Sequence, residues 1–245
     1  SREEKDAAMA ADNGVTERAR AEIALRESEE RFRAIFETAR DCVFVKDRTL
    51  RYTHVNPAMA ALFDSTPAAL VGVTDDVLFD AETCVRVREV DLRVLQGRIE
   101  NEVSTSRVHG LEHVFHTVKV PLRDVGGAVV GICGIARDIT ELTRAEAVER
   151  TMTAILRAAV TTSDLRTLIA AIREILGGLI DTKNFFVALY DETADRYRFP
   201  YFADQFDVTE PDSVEALPKS LTDYVRRIGE ATLVNPDDFA TLQAS

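Results

Sequence analysis

Cysteine, histidine and tryptophan are scarce in this sequence: three, four and none among 245 residues. Cys42, Cys84 and Cys133 are odd in number and far apart, with no CxxC or Cys/His ligand spacing. That excludes a disulfide framework and a zinc site, and leaves three reduced, mostly buried thiols. Positive charge is also short, 30 Lys and Arg against 42 Asp and Glu, for a net charge of −12. With no basic stripe to neutralise phosphates, nucleic acid is not expected as a direct partner. No apolar run approaches the roughly 18 residues that cross a bilayer, and no signal-peptide pattern opens the chain. We therefore expect a cytoplasmic location and no membrane contact within these residues. Catalytic signatures are missing too: no GxGxxG or GxxxxGK[ST] loop, no GxSxG elbow, no HExxH. LGGLI at 176–180 is not the acidic Gly-Gly motif of a cyclase, and a kinase's phosphoacceptor-His segment and ATP-binding boxes are absent. The expectation is a binding or regulatory region, with no enzyme in these residues.

What is present is the composition of a globular protein, 46% apolar and 29% charged, long enough for one large or two ordinary domains. The chain opens on Ser1 and shows few strands after residue 163, so we expect a piece of a longer protein with its second domain cut. Residues 16–40 predict a helix, with Thr16 as N-cap and Leu25, Ser28, Phe32, Ile35 and Ala39 recurring at spacings of three and four. Asn13-Gly14 is expected to separate it from a frayed start. So narrow a stripe suits a coiled coil or a helix packed on a partner. CVFVKD and RYTHVN read as two short strands around a polar turn. Asn56-Pro57 then reads as an N-cap and a proline at the first helical position. Short helical pieces and a longer helix over about 81–96 follow, stopped by Gly97.

ENEVSTSRV, EHVFHTVKVPLRD and AVVGICGIARD read as three further strands, separated by hairpin turns at His109-Gly110 and Asp124–Gly127. Two strands, helices, then three strands imply an α+β domain of roughly 100 residues, an antiparallel five-stranded sheet with helices gathered on one face. A second amphipathic helix is predicted over 139–160, striped by Leu142, Ala145, Val148, Met152, Ile155 and Ala159. Another runs from an N-cap at Ser163 to about Leu176, where Gly177-Gly178 ends it. NFFVALYD and RYRFPYFAD read as a strand pair, SLTDYVRRIG as a helix and EATLVN as a strand. The resulting divisions are a coiled-coil-like helix (1–40), the α+β domain (41–140), a linker helix (141–162) and a partial domain (163–245).

Four stretches of the first domain resemble the PAS family, of the sensory-box type: ALRESEERFRAIFETARD (24–41), YTHVNPAMAALF (52–63), TPAALVGVTDDVLF (66–79) and VKVPLRDVGGAVVGICGIARDITELTRAE (118–146). The match spans about residues 24–146. TTSDLRTLIAAIREILGGLIDTKNFFVALYDETADRYRFPYFADQ and SLTDYVRRIGEATLVNPDD more loosely resemble the opening of a GAF domain, a family that needs further strands and a closing helix. The resemblance implies the input region of a bacterial signalling protein, with an output module, most often a histidine kinase and sometimes a diguanylate cyclase, elsewhere in the parent chain. A ligand-free assembly and dimerisation module is the alternative reading, as is the input region of a transcriptional regulator. A homodimer through the two flanking helices is expected in either case.

The resemblance gives weight to the joint GIARDITELTRAE (134–146), where a small-residue strand meets a charged helix with no linker. Asp138 can cap that helix, with Glu141 three residues on completing a capping box and Thr140 between them. Local sequence alone favours the plainer reading, in which Asp138 and Thr140 merely end a strand, and the resemblance reverses that. For a ligand cleft between sheet and helices the candidates are Phe44, Met59, Phe63 and Phe79, together with Cys84, Val87, His116 and Val118. The same residues would serve as plain core filling, Cys84 as a buried apolar thiol and His116 as a satisfied, half-buried histidine. His113 and His116 point to opposite faces of a strand, so they do not share an ion. Haem-binding PAS domains take an axial His from the long helix, and AETCVRVREVDLRVLQ has none. The Asn-Cys-Arg-Phe-Leu-Gln stretch of the flavin photosensors is missing as well, which leaves a small organic ligand.

Overall fold

The computed structural model describes residues 2–205, 213–217 and 220–235, with side chains from Arg18 onward. The chain divides into two compact units, Ser1–Thr143 and Arg144–Ser245.

The first unit opens with a long helix, α1 (Arg2–Thr38). It runs straight through Asn13-Gly14 and starts well before Thr16, contrary to the sequence expectation. A glycine inside a helix costs only about 1 kcal/mol, and the many Ala, Glu and Arg residues around it favour helix strongly. Strands β1 (Cys42–Asp47) and β2 (Tyr52–Val55) follow, joined by a turn in which Asp47 Oδ1 accepts the N–H groups of Thr49 and Arg51. Leu50 completes that turn at φ 64° with its side chain buried.

Helices α2 (Pro57–Leu62) and α3 (Pro67–Leu70), a 3-10 turn at Asp75–Val77 and α4 (Ala81–Leu95) form the helical layer. Asn56 caps α2 as expected, its Oδ1 accepting from Met59 N at 3.1 Å and Val43 N at 3.0 Å. Its Nδ2 donates to Asp41 O at 2.9 Å and to Ala39 O, just past α1, at 3.4 Å, so one fully buried amide ties the end of α1, the start of β1 and the start of α2 together.

Strands β3 (Glu100–Val108), β4 (Leu111–Arg123) and β5 (Val129–Asp138) complete a five-stranded antiparallel sheet of order β2-β1-β5-β4-β3. His109 and Gly110 both take positive φ, as the two-residue hairpin between β3 and β4 requires. On the face toward α4, Phe44 of β1 lies opposite Gly134 of β5. A Cβ on Gly134 would fall inside the Phe44 ring, so the glycine is a packing requirement. The core gathers Phe44, Tyr52, Val55, Met59 and Leu70 at one end and Leu50, Val94 and Ile132 at the other.

Helix α5 (Thr140–Thr161) follows, and the second unit contains α6 (Leu165–Leu176), β6 (Phe185–Asp191), β7 (Arg196–Ala203), β8 (Ser213–Glu215) and α7 (Leu221–Ile228). Its three described strands pair antiparallel in the order β6-β7-β8. Asp164, not Ser163, caps α6: its carboxylate accepts the N–H of Thr167 at 2.8 Å and the hydroxyl at 2.6 Å. Residues 231–235, expected as a strand, are irregular, and β8 lies in a segment the sequence reading passed over. Beneath β7, the Tyr197 hydroxyl donates to buried Asp223 at 2.7 Å, and Arg226 bonds both while lying over the Tyr190 ring. Among the described residues no helix is long and apolar enough to cross a membrane.

Candidate functional site

A cavity of about 60 Å³ lies between the five-stranded sheet and its helical layer. Phe44, Met59, Phe63, Phe79 and Val87 line it, five of the eight residues expected from the sequence. Phe63 and Phe79 meet edge to face at 5.2 Å, and Phe44 and Tyr52 at 5.7 Å. Cys84 is on α4 with its Sγ 3.5 Å from Phe79 O, and is not among the lining residues.

His116 and Val118 are placed on the other side of the sheet. In β4 it is Phe115, Thr117 and Lys119 that are buried toward the helices and line the cavity. Val114, His116, Val118 and Val120 share one face, as the alternation requires, but it is the outer one. His116 Nε2 pairs there with Asn101 Oδ1 at 2.8 Å. The inference failed because the more apolar face was taken as the inner one, and here the inner face carries the lysine.

That lysine belongs to a group of charges the sequence reading missed. Lys46 Nζ donates to Asp75 Oδ1 and Oδ2 at 2.7 and 2.6 Å and to Asp91 Oδ2 at 2.7 Å. Lys119 Nζ donates to Asp91 Oδ1 at 2.5 Å, and the Tyr52 hydroxyl to Asp75 Oδ1 at 2.6 Å. All five side chains are buried. Two ammoniums facing two carboxylates, each within hydrogen-bond reach, is the arrangement that makes burial of charge tolerable. Burial first, then the neighbouring Asp75 carboxylate, drives the Tyr52 hydroxyl well above its ordinary pKa, so it stays a donor. The signal was present in the spacing. Lys46 holds the inward place after Cys42 and Phe44 in CVFVKD, and Asp91 lies four residues after Val87 and three before Val94 on one face of α4.

At the end of β5 the backbone and side chains lock sheet to helix. Asp138 Oδ1 accepts the N–H of Thr140 at 2.9 Å and its hydroxyl at 2.5 Å. Thr140 Oγ1 in turn accepts the N–H of Val114 in β4 at 2.8 Å, and Ile139 N donates to Val114 O at 2.8 Å. His113 Nδ1 lies 2.8 Å from the other Asp138 oxygen. Since α5 starts at Thr140, Asp138 stands one residue ahead of the cap position, and Glu141 lies in the first turn. The expected capping box is thus replaced by an Asx-type turn, in which the side chain serves the residue two further on. Partial burial raises the Asp138 carboxyl, but the bonds from Thr140 and His113 outweigh it and hold its pKa below the ordinary value. His113 and His116 face opposite sides of the sheet, and the described residues contain no group of three or more metal-ligating side chains.

Residues 36–144 match the PAS fold family, so this part of the chain is a PAS domain. The methanogenesis regulatory histidine kinase FilI of Methanothrix harundinacea is 50% identical over 119 residues, 48% of this chain and 13% of the relative. A diguanylate cyclase of Vibrio cholerae is 32% identical over 104 residues, 41% of this chain and 32% of the relative. The aligned stretches thus span under a third of either curated relative. The solved PAS domain of BvgS from Bordetella pertussis is 27% identical, with 53% of this chain and 96% of that one covered and a TM-score of 0.39. The PAS domain is therefore homologous to regions of signal-transduction proteins, which supports a sensory role.

Proposed function

We propose that these residues are the sensory region of a bacterial signalling protein, whose PAS cleft senses a small molecule and whose output module, a histidine kinase or a diguanylate cyclase, lies elsewhere in the parent. The observation that carries this reading is continuity. Strand β4 supplies Phe115, Thr117 and Lys119 to the cavity wall, and its Val114 N–H is held by Thr140 at the start of α5. A change in cavity filling that shifts β4 therefore acts on the first turn of α5. A difference of ~1–3 kcal/mol between two states would suffice for regulation. The second unit we read as the opening of a GAF domain, with the whole region in the cytoplasm.

The same reading includes a homodimer. Leu25, Phe32 and Ile35 of α1 are exposed, and Leu25/Phe32 and Ser28/Ile35 each repeat at seven residues, the seam that an identical helix fits. On α5, Val148, Met152 and Leu156 are exposed as well.

The size of the cavity favours a second reading. At about 60 Å³ it holds a few waters, against roughly 150 Å³ for an apolar cavity that takes benzene. A PAS domain filled this far by its own side chains would serve as a ligand-free assembly module. Asp138→Ala in the full-length parent separates signalling from stability: it should cost about 1 kcal/mol of stability. Output activity should change out of proportion to that loss, and unchanged output would reduce the joint to a strand terminator.

A further inference from the structure

We propose that the cavity accepts a small uncharged molecule presenting one oxygen, as a ketone, amide or alcohol does, to the ammonium of Lys119. This rests on the reading of the cleft as a ligand site and adds the chemistry of what enters it. The argument is a count of donors and acceptors. Lys46 has three N–H groups and three carboxylate oxygens within reach, both of Asp75 and one of Asp91. The remaining Asp91 oxygen accepts from Lys119, and one Asp75 oxygen also accepts from Tyr52. Every carboxylate oxygen of the group is engaged. Among the described residues Lys119 has only Asp91 Oδ1 as acceptor, which leaves two of its N–H groups unspent.

Its side chain is 4% exposed and lines the cavity. Burial lowers the Lys119 pKa, and the nearby Lys46 ammonium adds to that against the pull of Asp91. Ser104 and Thr117 line the same cavity, and the rings of Phe44, Phe79 and Phe115 form apolar wall. An oxygen held at Lys119 with its carbon body against those rings meets both requirements.

Charge decides the class. Two lysines already balance two aspartates, and Glu102, which also lines the cavity, is a further negative. A carboxylate ligand would bury an unbalanced anion, which is costly unless paired. A cationic ligand finds the oxygens of Asp75 and Asp91 taken, and at the unspent N–H groups of Lys119 it would meet a like charge. An uncharged acceptor gains a hydrogen bond from an ammonium and adds no charge. The volume sets the upper size below that of benzene.

The test is an NMR titration of the 245-residue chain, reading the Met59 methyl signal, with three probes matched in heavy atoms and smaller than benzene: acetone, acetate and isobutane. Acetone should bind more tightly than acetate. Lys119→Met should lower the affinity of acetone relative to isobutane at least about tenfold, the scale of a hydrogen bond to a charged group, because the ketone oxygen then lies buried without a donor. If that variant unfolds, Lys119→Met combined with Asp91→Asn keeps the buried charges balanced and should behave the same way. An acetone-to-isobutane ratio unchanged by the variant would overturn the Lys119 contact while leaving the cleft a ligand site. Tighter binding of acetate would overturn the uncharged class. No binding of any probe would overturn this proposal and the sensing cleft together.

Discussion

The two faces of the five-stranded sheet invert the usual relation between polarity and burial. The face under the helices carries Lys46, Lys119, Thr117 and Ser106 among its buried residues. On the other face, Val103 and Ile135 are exposed large apolar side chains. The difference teaches that burial follows pairing as much as hydropathy. A lysine whose ammonium meets two carboxylates goes inside, while a valine with nothing laid over it stays out.

The sharpest way to break this comparison is to remove the residue that both buried lysines share. Asp91→Ala should cost about 3–5 kcal/mol, because it strands the Lys119 ammonium in the interior and leaves Lys46 with Asp75 alone. A urea midpoint little changed from that of the parent would mean the inner charges are better solvated than their burial implies. Neighbouring positions on β5 then compare the two faces directly. Gly134→Ala on the inner face should cost about 1–3 kcal/mol, since the new methyl displaces the Phe44 ring. Ile135→Ala on the outer face, at a side chain 47% exposed, should cost about 1 kcal/mol or less in the monomer. Thermal unfolding of the pair in parallel checks the order, and a reversed order would refute the assignment of faces.

The smallest effect concerns pH at the edge of the sheet. Asp138 has a folded pKa held below its ordinary value. Its contribution to stability is therefore complete above the unfolded pKa of about 4, and is lost as pH falls through the lower folded value. Asp138→Asn should flatten that part of the acid limb, and an unaltered limb would show the Thr140 and His113 bonds to be energetically idle.

Much of this was legible in the sequence where local chemistry decides. The Asn56 cap, the His109-Gly110 hairpin, Gly97 after α4 and all five strands of the PAS sheet depend on residues near one another in the chain. Five cavity residues were also legible, because large apolar side chains at periodic positions have few other places to go. The buried charges were not. Lys46, Asp75, Asp91 and Lys119 lie up to 73 residues apart, from 46 to 119, and each alone looks like a solvated side chain. Only their meeting in space neutralises them, and no local window contains it. The face of β4 was misread for the same reason: without Asp91 in view, nothing favours burying Lys119 over Val118. The start of α5 was displaced by one residue because Asp138 serves Thr140, whose hydroxyl is recruited by a strand 26 residues earlier.

Asn56 carries a consequence for the protein's chemical ageing. Asparagine amides hydrolyse mainly when the following backbone nitrogen attacks the side chain to close a succinimide ring, and here that nitrogen belongs to Pro57, which has no hydrogen to give up. Conversion to aspartate would set a carboxylate against the carbonyl of Asp41, which Asn56 now donates to. The proline that starts α2 thus also guards, over the lifetime of the molecule, the amide that joins α1, β1 and α2.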